Sequence, residues 1–516
     1  MSTKIVIKKN TYFDSVSLMS ISTKANQIEH VDQAIVAMAT EMNKGVLRNL
    51  NLLTKELEEA KNGDLMIVIK GKDGADNDQI LTEIEALFKK KSSGGSHFEA
   101  RYATIESAKS QVAEANLAVI SVNGAYAARE ARKALEQDLH VMLFSDNVSI
   151  DDELALKQLA HRKGLLMMGP DCGTAIINNK ALCFGNAVRQ GSIGIIGASG
   201  TGSQEVSVRI HDFGGGVSQL IGTGGRDLSE KIGGIMMLDA MNVLDKDPNT
   251  QVIVLISKPP AESVELKVLA NIKNCTKPVV VCFIGGCEQR VVKAGGHFAQ
   301  TTKQAALKAV LLTGIKEEDI DLHSLNWPLI EEVRAKLKPE QKYIRGLFCG
   351  GTICDEVMYL AMEKYPNIYS NIQKDLNLRL KDLNHSIEHT FLDLGDDDFT
   401  NGKPHPMIDP SNRIERFLQE ARDPEVGVIA MDFILGFGSH EDPVGVMLPA
   451  IYQAKKLAKE QQRHLEILGY VLGTDLDQPD MAKQIQQLED AGVTISSSCT
   501  NTGLLSREFV AKGDAK

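Results

Sequence analysis

The sequence predicts an α/β protein in which parallel sheets are layered with helices, preceded by a small ferredoxin-like α+β unit. Three observations carry that prediction. Apolar residues make up 43% of the chain and aromatics only 5%, so the core is aliphatic. Glycine is abundant, at 43 residues, and clusters just after apolar runs, where α/β layers need tight turns. Beyond residue 100, short apolar runs alternate with helical periodicities, which is the rhythm of a parallel sheet. The length of 516 residues adds that a single core is excluded; at about 150 residues per domain it accommodates three to four.

Residues 3–8 (TKIVIK) alternate as a strand, a polar helical stretch follows near 14–26, and 31–40 and 64–71 are β-rich. Over 77–91 an amphipathic helix places Ile80, Leu81, Ile84, Leu87 and Phe88 on one face. Strand, helix, strand, strand, helix reads as a ferredoxin-like unit over 1–95, with KKKSSGGSH (89–97) as a linker. Residues 96–190 hold three apolar runs, LAVISVNG, HVMLFSD and GLLMMGPDCG, separated by helical stretches, the rhythm of a parallel sheet. Residues 191–330 repeat the rhythm through GSIGIIGASGTGSQEVSVRI, VSQLIGTGGRD, QVIVLISKPP and KPVVVCFIGG, and 315–342 reads as a polar connector. A related module fills 340–516: YIRGLFCGGTICDEVMYLAME mirrors 191–210, and ARDPEVGVIAMDFILG mirrors LDKDPNTQVIVLIS.

Charge and punctuation exclude several function classes. With 57 basic against 68 acidic residues the net charge is -11, and no basic stretch is interleaved with aromatics, which argues against nucleic acid. No apolar run reaches the roughly 18 residues of a membrane helix. The N-terminus lacks the apolar stretch and small-residue site of a signal peptide. Eight cysteines are too sparse for a disulfide framework, so the expectation is a cytoplasmic (cytosolic) protein with reduced thiols.

The sharpest motif is Gly194-Ile195-Ile196-Gly197-Ala198-Ser199-Gly200-Thr201-Gly202-Ser203, a strand running into a glycine-rich turn that opens a helix. The first N–H groups of a helix lack internal partners and sit at its positive end, so Ser199, Gly200, Thr201 and Gly202 are phosphate-binding candidates. Gly350, Gly351 and Thr352 repeat the logic in the second module, so both helices could aim at one anion. A tight turn with a capping hydroxyl accounts for the same residues, and both readings stay open. Gly224, Gly225 and Arg226 stand at another expected strand end, where Arg226 could clamp a carboxylate or form a structural ion pair. Asp396-Asp397-Asp398 reads as an acidic first turn rather than a metal site. His385 and His389 fall in a predicted strand, too far apart to share a metal. Cys282, Cys287, Cys349 and Cys354 read as small packing residues, and no metal is expected.

A family resemblance rests on Met168-Gly169-Pro170-Asp171-Cys172-Gly173 followed by GSIGIIGASGTGSQE, GTGGRD and DKDPNTQVIVLI. Their order resembles the α subunit of succinyl-CoA synthetase, which shows G-P-N-C, an S-x-S-G-T turn, G-I-G-G-D and D-P-x-T. This resemblance spans roughly residues 100–315; 343–516 is similar to the C-terminal module of that enzyme's β subunit. The whole layout resembles the FdrA family of acyl-CoA-synthetase-like proteins from end to end. The resemblance implies two flavodoxin-like modules of succinyl-CoA-synthetase type, preceded over 96–190 by a truncated CoA-binding-like Rossmann unit. It also implies that the helices opened by Ser199–Gly202 and Gly350–Thr352 face a phosphoryl group. The phosphohistidine loop of that family, G-H-A-G-A, falls on Ala294-Gly295-Gly296-His297-Phe298-Ala299, where the motif is altered and His297 is the candidate carrier. The ATP-grasp portion has no counterpart, and CoA binding stays an open possibility.

The function implied is that of an FdrA-type subunit of oxamate carbamoyltransferase in anaerobic allantoin (purine) catabolism, acting with companion subunits. Such an enzyme interconverts oxalurate plus phosphate with oxamate plus carbamoyl phosphate. Phosphate or carbamoyl phosphate would rest on the two helix N-termini. The carboxylate would meet Gly224, Gly225 and Arg226 or the Asn123-Gly124 turn, with Cys172 also in the substrate-binding set. His440 and His297 are the catalytic candidates, and no cofactor is assigned beyond these anionic substrates. Two alternatives remain: an acid–thiol ligase (acyl-CoA synthetase) that takes ATP from a partner chain, and a non-catalytic scaffold or regulatory subunit.

Overall fold

The computed structural model describes residues 3–511 except 10, 12, 14, 27, 51, 73, 91–100 and 401–403. Most of the expected linker 89–97 therefore lies outside the described residues. The chain divides into two units, Met1–Arg101 with Thr400–Pro404, and Tyr102–Phe399 with His405–Lys516.

The first unit runs β1 (Thr3–Lys8), α1 (Ser15–Asn26), β2 (Val31–Met38), α2 (Glu41–Asn49), α3 (Lys55–Glu59), β3 (Leu65–Gly71) and α4 (Asn77–Lys90). Strand β3 is central and antiparallel to both neighbours. Its run LMIVI is apolar on both faces, so both must be covered. Leu65, Ile67 and Ile69 pack with Leu18, Ile21, Ile80 and Ile84 of α1 and α4. Met66 and Val68 pack with Leu47 and Leu57, and this is the work of α2 and α3, two helices that the ferredoxin-like reading did not anticipate.

The second unit opens with α5 (Ile105–Gln111), β4 (Leu117–Ile120), α6 (Gly124–Glu136), β5 (His140–Leu143), α7 (Ile150–Lys163) and β6 (Met167–Met168). Its three strands form a small parallel sheet, β4-β5-β6. A hairpin, β7 (Thr174–Ile177) and β8 (Lys180–Cys183), then leaves that sheet and joins the next one. The first module follows as β9 (Gln190–Gly197), α8 (Gly200–Asp212), β10 (Val217–Gly222), α9 (Ile235–Lys246), β11 (Val252–Ser257), α10 (Glu262–Ile272), β12 (Val279–Phe283), α11 (Glu288–Lys293), β13 (His297–Phe298) and α12 (Thr302–Leu312). The stretch read as a connector contains α13 (Trp327–Lys336), capped by Asn326 and seated by buried Ile330 and Val333.

The second module is β14 (Tyr343–Phe348), α14 (Gly351–Met362), β15 (Ile368–Ser370), β16 (His389–Asp393), α15 (Asp397–Thr400), α16 (Ser411–Glu420), β17 (Val426–Ile434), α17 (Leu448–Glu460), β18 (Glu466–Leu472), α18 (Met481–Asp490), β19 (Thr494–Ser496) and α19 (Cys499–Phe509). The two sheets share one design. Strands run β10-β9-β11-β12-β13 in the first and β16-β14-β17-β18-β19 in the second, all parallel. Both are the 2-1-3-4-5 order of flavodoxin-like sheets. The β7–β8 hairpin extends the first sheet through an antiparallel pairing with β10. Strands β11 and β17 are buried along their whole length, as expected of strands with helices on both faces. Among the described residues, no helix is long and apolar enough to cross a membrane.

Candidate functional site

In each module the first strand ends in small residues and delivers a helix at its C-terminal edge, which is where doubly wound sheets place ligands. Here the two helices, α8 and α14, meet N-terminus to N-terminus. Ser199 caps α8 by accepting from Gly202 N at 3.1 Å, and its hydroxyl also bonds the Thr352 hydroxyl. Thr352 N donates to Thr201 Oγ1 at 3.4 Å. Glycine makes this approach possible. A Cβ on Gly202 would lie 2.8 Å from Thr352 Cγ2, and one on Gly350 would lie 3.0 Å from Thr201 Cβ.

Deeper along the same helices, two carboxylates are exchanged between the modules. Glu205 of α8 accepts from Cys499 N at 3.1 Å, the first residue of α19, and from the Tyr470 hydroxyl. Glu356 of α14 accepts from Thr302 N at 2.9 Å, the first residue of α12, and from Thr500 Oγ1 at 2.6 Å. Each module's last helix is thus capped by a carboxylate of the other module, where an anion is favoured by the helix dipole. Burial pushes the Glu356 carboxyl up to about 7 against the pull of those hydrogen bonds. Burial raises Glu205 too, against the pull of Arg209.

The mouth of α14 is strongly charged. Asp432 accepts from Cys349 N at 2.8 Å and Gly350 N at 2.9 Å, and pairs with Arg413 at 3.1 Å. The anion-binding capacity of that turn is therefore partly spent on a protein carboxylate. Beside it, Lys258 at the end of β11 pairs with Asp355 of α14 at 3.4 Å. Burial disfavours the Lys258 charge, but Asp355 and Asp393 outweigh it and hold its pKa above the ordinary value. Asp393, at the end of β16, is pushed up to about 7 by burial although Lys258 opposes the shift. A Cβ on Gly351 would lie 2.4 Å from Asp393 Oδ2, so this carboxyl sits against the first residue of α14. His405 flanks the same turn: a Cβ on Gly395 would fall 2.4 Å from His405 Nε2 and 2.6 Å from Cys349 O. Burial pushes its imidazole down to about 4, and its Nδ1 accepts from Met407 N at 3.2 Å. The ring is therefore neutral near pH 7 with its proton on Nε2, the nitrogen facing the turn.

Lys258, Asp355, Asp393, Asp432 and His405 were not singled out from sequence. A polar residue directly after an apolar run, as in ISKPP and FLDLG, is the signal that could have found Lys258 and Asp393.

The structure gathers only some of the expected residues. The Gly169–Thr174 loop lies between two of the predicted turns. A Cβ on Gly224 would lie 2.4 Å from Pro170 O, and one on Gly200 would lie 3.6 Å from Thr174 Oγ1. Cys172 is buried there with its thiol pushed up to about 12 by burial, so it is not a thiolate near neutral pH. Asp171, in the left-handed region at φ 54, is raised to about 7 by burial and by Asp146 and Asp397. Arg226 is tied to Glu153 at 2.9 Å and to Val148 O at 2.8 Å, a structural ion pair. Gly225 keeps open space, with Asp171 Oδ2 the nearest atom a Cβ would meet, at 3.9 Å. Asn123 caps α6 by accepting from Ala125 N at 3.0 Å, and Gly124 packs against Asp146 O.

His297 is exposed on the short edge strand β13; Thr302, at the start of α12, is what reaches Glu356. His440 N bonds Met407 O at 2.8 Å, and its Nδ1 accepts from Asp442 N at 3.0 Å. Asp397 and Asp398 form the acidic first turn of α15. His389 is buried in β16, whereas His385 is exposed and paired with Asp382 at 2.7 Å. Cys282, Cys349 and Cys354 are buried as expected, but Cys287 is exposed.

Three family models match separate segments of the chain. A family model described as the AllF heavy-metal-associated domain matches residues 1–104, the CoA binding domain matches 188–285, and CoA-ligase matches 347–508. The CoA-binding match thus covers β9 to β12. Residues 1–104 contain no cysteine, and the described residues contain no group of three or more His, Cys, Asp or Glu able to hold a metal. They do not fit a thiolate-bound heavy metal. The α subunit of succinate–CoA ligase (ADP-forming) from Methanothermobacter thermautotrophicus is 25% identical over 231 residues, covering 43% of this chain and 76% of that one. The structure of ATP citrate lyase from Methanothrix soehngenii in complex with citrate and coenzyme A aligns at TM-score 0.37 and 13% identity, covering 79% of this chain and 84% of that one. The uncharacterized protein YahF of Escherichia coli (strain K12) is 71% identical over 514 residues, covering 100% of both chains. The chain belongs to the YahF family, and it joins an AllF-type N-terminal domain to CoA-binding and CoA-ligase domains.

Proposed function

We propose that the chain is the CoA-ligase-type subunit of an acid–thiol ligase resembling succinate–CoA ligase, with ATP supplied through a companion chain. One observation carries this reading: α8 and α14 meet N-terminus to N-terminus at the strand ends, beside a half-buried lysine. In their first turns the N–H groups of Gly200, Thr201 and Gly351 have no intrahelical acceptor. They and Lys258 would hold the oxygens of a phosphoryl group or acyl phosphate over the junction. His405 Nε2–H would donate to the developing oxyanion, and Asp393, raised to about 7, would exchange a proton with the incoming group near neutral pH. Attack by the CoA thiolate on the acyl carbon would form the thioester and release phosphate as the acyl C–O bond breaks.

A second reading is favoured by the AllF-type N-terminal match and by the exposed edge position of His297, away from the junction. In it the chain is an FdrA-type subunit of oxamate carbamoyltransferase in cytoplasmic allantoin catabolism, where phosphate and not a phosphohistidine is the reactant. The test is to purify the full chain with its co-eluting companions and run two assays. Thioester formation from succinate, CoA and ATP supports the ligase. Carbamoyl phosphate formed from oxalurate and phosphate, with neither CoA nor ATP present, overturns it in favour of the second reading. If neither product forms with the companions present, a scaffold role replaces both.

A further inference from the structure

At the opposite edge of the second module, Lys336, Lys338, Lys455, Lys459, Arg463 and His464 line a single pocket of about 400 Å³. The pocket lies at the N-terminal ends of the strands. Lys338 precedes β14, and Arg463 and His464 precede β18. The α8–α14 junction lies at the C-terminal ends, so this is a separate place on the molecule.

In a chain of net charge -11, such a concentration of positive charge needs a cause. Part of it is structural. Arg463 spends its guanidinium on Val426 O at 3.2 Å, Ala421 O at 2.5 Å and Gln461 Oε1 at 2.7 Å. Lys455 donates to Gly492 O at 2.6 Å, at the end of α18. Two carboxylates also stand nearby: Glu332 holds Lys336 at 2.6 Å, and Glu466 holds His464 at 2.6 Å. Lys338 and Lys459 form no side-chain hydrogen bond or ion pair among the described residues. Burial lowers the Lys455 pKa, Glu466 opposes that shift and the neighbouring Lys336 adds to it, so the charge is held at a desolvation cost that a further anion would offset.

The lining also indicates what would relieve it. No Phe, Tyr or Trp lines the pocket and the His464 ring is held by Glu466, so there is no open platform for a base. Because the Arg463 fork is occupied, planar bidentate recognition of a carboxylate is not available. What remains are flexible ammonium groups, which suit phosphate oxygens approached from several sides. The volume is that of a small-molecule pocket. We propose that this pocket binds a compact polyanion carrying at least two phosphate groups, held by Lys336, Lys338, Lys455 and Lys459.

The test is calorimetric titration of the full chain, at constant ionic strength, with inorganic triphosphate, orthophosphate and ATP. Triphosphate is expected to saturate a site that the lysine variants below weaken, with an affinity at least roughly ten-fold above orthophosphate. The double variant Lys338→Ser/Lys459→Ser changes two exposed side chains and should weaken triphosphate by roughly ten-fold or more; its far-UV spectrum should match the wild type. Lys455→Gln should weaken it independently. Lys180→Ser, exposed on the β7–β8 hairpin and outside the pocket, should leave it unchanged. Equal affinities for triphosphate and ATP identify the free phosphate chain as the recognised group, and a preference for ATP identifies a nucleotide as its source; both uphold the site. Unaltered binding in the double variant and in Lys455→Gln, loss in Lys180→Ser, or no preference over orthophosphate would overturn it.

Discussion

Glu356 offers a measurement that isolates the exchange of carboxylates between the modules. It is 1% exposed and holds both Thr302 N and Thr500 Oγ1. Its ordinary value of 4.5 is raised to about 7 in the folded protein, chiefly by burial. A carboxyl raised on folding binds its proton more tightly in the native state. Its contribution to stability is therefore full below pH 4.5 and declines as pH rises towards 7. At about 1.36 kcal/mol per pH unit, the ionised group costs roughly 3 kcal/mol above pH 7. Glu356→Gln removes that cost and keeps the contacts, since the amide oxygen can accept from Thr302 N while the amide N–H donates to the Thr500 hydroxyl. The variant should match the wild type within about 1 kcal/mol near pH 4.5 and exceed it by roughly 3 kcal/mol near pH 8.5. Urea unfolding followed by far-UV circular dichroism at both pH values measures the difference. Asp171 and Asp393 titrate in the same window but are common to both proteins and cancel. A stability difference that is the same at both pH values would refute the reasoning.

Lys157 bonds Glu153 at 2.8 Å and Asp227 at 2.9 Å, with all three side chains fully buried. Lys157→Met leaves the buried Asp227 without its cation and Glu153 with Arg226 alone, and should cost about 3–5 kcal/mol in denaturant unfolding; a loss below about 1 would count against the network. Gly202→Ala should destabilise by about 1–3 kcal/mol through the 2.8 Å approach to Thr352, while Gly225→Ala, with nothing closer than 3.9 Å, should stay within about 0.5 kcal/mol in the same assay. Ser199→Ala should lose about 0.5–2 kcal/mol of capping energy and weaken orthophosphate binding at the junction, with Ser199→Thr restoring most of both; unchanged phosphate affinity would mean the turn is purely structural. Because burial holds His405 neutral down to about pH 4, the rate should show no histidine titration near 6.5 that His405→Gln removes.

The architecture was legible because its cause is local. Runs such as QVIVLIS and VGVIAMDFI are apolar on both faces and end in small or polar residues, which dictates buried parallel strands. The repeat was legible for the same reason, down to an acid in each helix: Glu205 follows Ser199 by the spacing at which Glu356 follows Gly350. What those acids bind was not legible. Their partners, Cys499 N and Thr302 N, come from the far end of the opposite module, and only the docking of α19 and α12 brings them in. α13 escaped detection because its apolar stripe amounts to buried Ile330 and Val333 among charged neighbours, in a stretch broken by Pro328 and Pro339. Helices α2 and α3 were missed for the opposite reason. The apolar second face of β3 demanded a cover, yet nothing local indicated which segment would supply it.

Four helix N-termini converge between the two modules, and the structure treats them differently. Those of α12 and α19 are closed by Glu356 and Glu205, so their positive ends serve to hold the modules together. At the mouth of α14, the preceding N–H groups of Cys349 and Gly350 are taken by Asp432. In the first module no carboxylate among the described residues takes the equivalent N–H: Ala198 N bonds the backbone carbonyl of Ile256 at 3.0 Å. The pseudo-twofold symmetry of the fold is therefore broken where chemistry would occur. An anion at the junction meets an uncompensated positive end on α8 and a partly neutralised one on α14. It should rest nearer Gly200 and Thr201, with Lys258 of the first module and His405 of the second beside it. A symmetric pair of helices would hold a phosphate equally from both ends; under the proposed function this arrangement would hold it more firmly from the α8 end, with side chains rather than free N–H groups completing the other.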